Sequence, residues 1–140
     1  AIPLGLFISY LTLLYQKVLG MRELISVQSV FILPFSTITD ISRGVDYILN
    51  ILLFIPLGLL LPMIRENMKE KTVVLTGFVL SLFIEISQFI LMAGSCETDD
   101  LITNTLGTWI GYLILGRLKK QDKEITGKNN KYEEKNPSGK

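Results

Sequence analysis

An all-α membrane protein is the predicted fold class, a small bundle of about four transmembrane helices with both termini cytoplasmic. Three observations predict it. Apolar residues make up 49% of the 140-residue chain. Four stretches, residues 2–19, 46–64, 72–92 and 99–116, approach or reach the roughly 20 residues a helix needs to cross about 30 Å of hydrocarbon. None of them alternates with period two, which argues against barrel strands.

The first stretch carries Pro3, Gln16 and Lys17 and begins without methionine, so it is expected to be a truncated span or a cleaved or edited start. As a signal peptide it would lack a basic leading region and an A-x-A site. The second holds Pro56 within FIPLG and then Pro62, which remove backbone donors and should kink or open the helix. The third, TVVLTGFVLSLFIEISQFILM, has one charge, Glu85. A carboxylate near a bilayer centre costs roughly 2.5–3.5 kcal/mol on insertion scales, so it normally has a partner or a job. The fourth begins at Asp99 and Asp100 and contains GTWIG, in which Gly107 and Gly111 form a small-xxx-small packing element. From residue 119 to 140 the chain turns to Lys, Glu, Asn, Gly and Pro, too polar to bury a core, and a disordered cytoplasmic tail is expected after a membrane domain of residues 1–118.

Basic residues set the orientation, because short loops rich in Lys and Arg stay in the cytoplasm. Arg65, Lys69 and Lys71 lie between the second and third stretches, and Arg117, Lys119, Lys120 and Lys123 follow the fourth. Residues 93–98 between the third and fourth contain no basic residue. Residues 20–45 then form an external excursion carrying Arg22, Glu23 and Arg43. A loop of that length is commonly functional or re-entrant.

Composition also narrows the chemistry. A single cysteine, Cys96, allows no intrachain disulfide, and the absence of histidine excludes the usual zinc sites and a Ser-His-Asp triad. No cofactor is expected. A formal net charge of +1 gives no reason to invoke nucleic acid.

The polar residues inside the stretches converge. Ser81, Glu85, Gln88 and Met92 are spaced 0, 4, 7, 11, which at about 100° per residue keeps them on one helix face. Asp100, Asn104, Gly107 and Gly111 repeat that spacing, and Asp46, Asn50, Phe54 and Leu61 also share a face. At about 1.5 Å per residue from the outer end, Glu85 lies roughly 10 Å deep, with Gln88, Asn50 and Asn104 at about 6 Å. The expected result is a polar pocket open to the exterior, rimmed by Asp46, Asp99 and Asp100. The third helix is expected to pack on the Asn104–Gly107 face, with the Asn104 amide donating to Glu85.

Each feature also has a plainer reading. Glu85, Gln88 and Asn104 could serve only as interhelical glue, at about 0.6–2 kcal/mol per bond. Asp99 or Asp100 could simply favour a helix N-terminus. GTWIG reads first as packing, and the prolines as kinks.

The chain resembles the VanZ-like family of bacterial membrane proteins. The pieces are LPF at residues 33–35, NILLFIPLG at 50–58, LSLFIEISQF at 80–89 and DDLITNTLGTWIGY at 99–112. The family's polar signature corresponds to Asn50, Glu85, Gln88, Asp100 and Asn104. The resemblance implies an association with resistance to glycopeptide antibiotics, teicoplanin in particular. Two departures stand out: many relatives have an arginine near the position of Gly94, and some have a further hydrophobic segment where this chain has its lysine-rich tail.

The leading expectation is a non-enzymatic, multi-pass protein of the bacterial cell membrane. Its outward pocket, built from Asn50, Glu85, Gln88, Asp100 and Asn104, would bind a cell-wall precursor or a glycopeptide. The alternatives are an intramembrane enzyme on a lipid head group and a small proton-coupled transporter. The enzyme would use Glu85 as general acid or base and Asp100 as its charged counterpart, with a cation held by Glu97, Asp99 and Asp100 as one way to complete it. The transporter would oligomerise through GTWIG.

Overall fold

A computed structural model of the chain describes residues 2–20, 30–31, 41–90 and 96–135. Within them lie helices α1 (Ile2–Gly20), α2 (Ile41–Ile64), α3 (Glu70–Ile90) and α4 (Thr98–Lys135). Two short strands, β1 (Val30–Phe31) and β2 (Cys96–Glu97), pair in parallel, with Val30 opposite Cys96 and Phe31 opposite Glu97. The LPF fragment, most of the 20–45 excursion, Met92 and Gly94 lie outside the described residues.

The architecture is all-α, as expected, and two of the four expected spans meet a length-and-apolarity criterion among the described residues. Two helical segments, Gly44–Ile64 and Glu70–Ile90, are long and apolar enough to cross a membrane. In α1 the apolar run is the shorter Pro3–Leu14. In α4, Asp99, Asp100 and the polar side chains of Thr103, Asn104, Thr105 and Thr108 dilute the apolar character of the first turns.

Helix α2 starts before residue 46 and runs unbroken through Pro56 and Pro62. Pro56 leaves the Leu52 carbonyl without its helical donor. One residue further along, the Tyr10 hydroxyl of α1 donates to the Leu53 carbonyl at 3.0 Å. In the turn to α3, Asn67 adopts φ 64°, a left-handed conformation that asparagine tolerates better than most residues. The Lys69 carbonyl then accepts from Thr72 N at 2.9 Å and Val73 N at 3.1 Å, opening α3.

The tail expectation is corrected. Helix α4 does not end near residue 118 but continues to Lys135. Lys120, Glu124 and Lys128 stand at i, i+4 intervals, each such pair worth about 0.2–0.5 kcal/mol to a helix. Lysine, glutamate and glutamine are good helix formers that need no core. Composition excludes burial, and residues 119–128 are indeed exposed, but it does not exclude a solvated helix.

Helix α4 packs most extensively on α2 and next on α3, while α1 leans on α2. Leu14 of α1 meets Phe54 and Leu57 of α2 in the apolar core, flanked by Phe7, Leu61, Leu80 and Ile84. The rest of the polarity is inverted relative to a water-soluble domain. Leu52, Leu75, Val79, Phe83 and Ile90 are exposed, while Ser81, Glu85, Gln88, Asn104 and Thr108 are buried. An apolar exterior around a polar seam suits a hydrocarbon solvent, in which polar side chains face the bundle interior.

Candidate functional site

The α2–α4 contact positions the seam. A Cβ on Gly107 would run into the Ile51 carbonyl oxygen, one on Gly111 into that of Ile55, and one on Gly58 into that of Thr108. The two backbones therefore touch, and only glycine fits at these points. This corrects the expected partner of GTWIG. Helical spacing identifies a face but not its neighbour, and here the glycines face α2. Helix α3 meets α4 beside them, where a Cβ on Gly77 would strike the Thr108 side chain.

Close approach brings short polar side chains into register. Asn50 Nδ2 donates to Asp100 Oδ1 at 2.8 Å, and the Tyr47 hydroxyl donates to Asp99 Oδ2 at 2.7 Å. Both aspartates at the start of α4 are thus bonded to α2. Asp99 is buried, whereas Asp100 is half-buried; Asp46 is exposed and stands apart from the seam.

On the α3 side, Asn104 Nδ2 donates to Ser81 Oγ at 2.9 Å, which replaces the expected bond from Asn104 to Glu85. Because α3 and α4 run antiparallel, pairing Asn104 with Ser81 places Glu85 one turn, about 6 Å, nearer the start of α4. There Glu85 Oε2 accepts the Glu97 backbone N–H at 3.1 Å. Glu85 is nonetheless only 3% exposed, and Gln88 is buried one turn beyond it.

The buried threonines are satisfied within α4. Thr103 Oγ1 donates to the Asp99 carbonyl at 2.8 Å and Thr108 Oγ1 to the Asn104 carbonyl at 3.1 Å. Asn104 differs. At 5% exposure its Oδ1 has no hydrogen-bond partner among the described residues. Turning the amide over would let Oδ1 accept from Ser81 but would strand Nδ2 instead. Either way one buried polar atom is unmatched, at a cost of about 1–3 kcal/mol unless a water or ligand meets it.

Sequence reading passed over Tyr47, Gly58, Gly77 and Thr108. The signal was present for each: Tyr47 is one turn before Asn50, Gly58 is eight residues after it, Gly77 is four before Ser81, and Thr108 is four after Asn104. Each extends a stripe already marked by an amide or acid. Among the described residues no group of three His, Cys, Asp or Glu side chains is arranged to hold a metal ion. Of the three acids weighed for a cation, Asp99 and Asp100 are turned to α2.

The described residues are helical apart from one short strand pair, and two of the helices carry membrane-length apolar segments beside a buried amide–carboxylate seam, features in keeping with a small helical membrane protein. The chain belongs to the VanZ/LLP1 family, whose model matches residues 2–119 and so takes in α1 as well as the seam. It is 36% identical over 97 residues to Protein VanZ of Enterococcus faecium, a match covering 64% of this chain and 53% of that protein. The chain therefore spans about half the length of that relative. No solved structure matches it.

Proposed function

We propose that this protein is a multi-pass bacterial membrane protein in which all four helices enter or cross the bilayer, with both termini cytoplasmic. Its seam of Asn50, Glu85, Gln88, Asp100 and Asn104 faces outward and binds a cell-envelope ligand, a wall precursor or a glycopeptide. Binding lowers susceptibility to teicoplanin. Family membership supports a VanZ-like role. The observation that carries the pocket reading is the unmatched amide atom of Asn104, buried in the same seam as Glu85. Purely structural glue would have spent both ends of that amide.

The test uses teicoplanin susceptibility of a sensitive Gram-positive host expressing the chain or Glu85→Gln at matched membrane abundance. Gln keeps an acceptor for the Glu97 N–H but loses the carboxylate. Protection by the parent and its loss in the variant is the expected result. Equal protection by both would sink the role of Glu85, and no protection from an inserted parent would sink the glycopeptide reading.

A further inference from the structure

A concave surface lies away from the seam, toward the opposite end of α3. It is an open groove of about 440 Å³ between α3 and α4, with Glu70 and Lys71 at its mouth and Val74, Leu75, Phe78, Thr105 and Trp109 along its mainly apolar walls. The walls are accessible: Leu75, Phe78 and Trp109 are all exposed. At the mouth, Trp109 Nε1 donates to Glu70 Oε1 at 2.9 Å, which ties the carboxylate to α4. Lys71 is exposed and forms no ion pair with another described residue. The mouth therefore presents one ammonium without an ion-pair partner above an apolar trough, and across residues 65–71 the bases Arg65, Lys69 and Lys71 outnumber the acids Glu66 and Glu70, so the end stays net positive.

We propose that this groove seats one anionic phospholipid of the cytoplasmic leaflet, with its phosphate on Lys71 and an acyl chain along Val74, Leu75, Phe78 and the Trp109 ring. The charge pattern selects the occupant. Basic sites between transmembrane helices at the cytoplasmic face suit anionic head groups, whereas an apolar face of a second copy would leave Lys71 buried without a counter-charge. The inference rests on the bilayer-spanning reading of α3 and the side assigned to its Lys71 end. It does not depend on what the outward seam binds.

Trp109 is the only tryptophan in the chain, so its fluorescence reports on the groove alone. The full chain would be reconstituted in phosphatidylcholine vesicles containing the same small fraction of either brominated phosphatidylglycerol or brominated phosphatidylcholine. Bromine on the acyl chains quenches an indole it touches. The anionic lipid is expected to reach Trp109 with roughly fivefold preference, the scale of one lysine near an anionic surface, and Lys71→Gln should abolish that preference while leaving quenching by the zwitterionic lipid unchanged. Lys119→Gln, away from the groove, should retain it. Equal quenching by both lipids, a preference that survives Lys71→Gln, or a Trp109 shielded from both as protein density rises would each overturn the proposal. The last result would assign the groove to a second copy.

Discussion

Glu85 and Asn104 occupy the same seam but have different energetics. Glu85 accepts a backbone N–H from Glu97, so replacing it with an apolar side chain strands that donor. Asn104 bonds only Ser81 through Nδ2 and leaves its oxygen unmatched, so an apolar isostere removes a bond and a penalty together. Glu85→Leu is therefore expected to be less stable than Glu85→Gln by about 1–3 kcal/mol, the cost of an unmet donor. Asn104→Leu is expected to change stability by less than about 1 kcal/mol, near the average of interhelical hydrogen bonds in membranes. Unfolding in mixed micelles, followed by helical circular dichroism, would measure both, and a larger loss for Asn104→Leu would make that amide a structural bond. The seam residues themselves were legible in the sequence, because carboxylates and amides stand out in apolar helices. Their bonding was not. Which acceptor the Asn104 amide reaches depends on the axial offset of α3 against α4, and no spacing within one helix encodes that offset.

At the scale of elements, the α2–α4 contact is a backbone contact made possible by three glycines. Gly107 and Gly111 were legible as small-xxx-small, but Gly58 was hidden beside Pro56 in FIPLG, where the proline draws attention to a kink. Their mutual partnership is a tertiary fact. It implies that side chains cannot be added without separating the helices, because the opposing atoms are carbonyl oxygens of Ile51 and Ile55 rather than movable side chains. Gly107→Leu is expected to cost about 3 kcal/mol or more, at the upper end of overpacking effects. Gly116 lies on the same helix with nothing near its missing Cβ. Gly116→Ala should instead stabilise α4 by about 0.5–1 kcal/mol through reduced backbone entropy. The same micelle titration would compare the two, and equal effects would mean that α4 does not approach α2 through its glycine face. The continuation of α4 to Lys135 follows from helix propensity acting without a core, a contribution that reading by burial alone leaves out.

For the whole molecule, the inverted polarity and the distribution of basic residues bear on one question, which end of the bundle faces out. Arg65, Lys69 and Lys71 gather at the α2–α3 turn and Arg117, Lys119 and Lys120 along the far half of α4, while the acids Glu97, Asp99 and Asp100 gather at the α3–α4 connection. Short basic segments are retained in the cytoplasm. Under the proposed topology the acidic end of the seam is external, where an envelope ligand would meet it, and the Lys71 groove is internal. The single native cysteine, Cys96, stands in β2 at the acidic end and serves as a topological reporter without engineering. A membrane-impermeant maleimide added to intact cells is expected to label Cys96. In a Cys96→Ser background, Asn67→Cys in the α2–α3 turn and Gln121→Cys in α4 are expected to react only after permeabilisation. Labelling of Asn67→Cys or Gln121→Cys in intact cells would invert the molecule, place the carboxylate seam on the cytoplasmic side and remove external ligands from consideration. Labelling of all three positions in intact cells would instead mean that α3 and α4 do not separate two compartments.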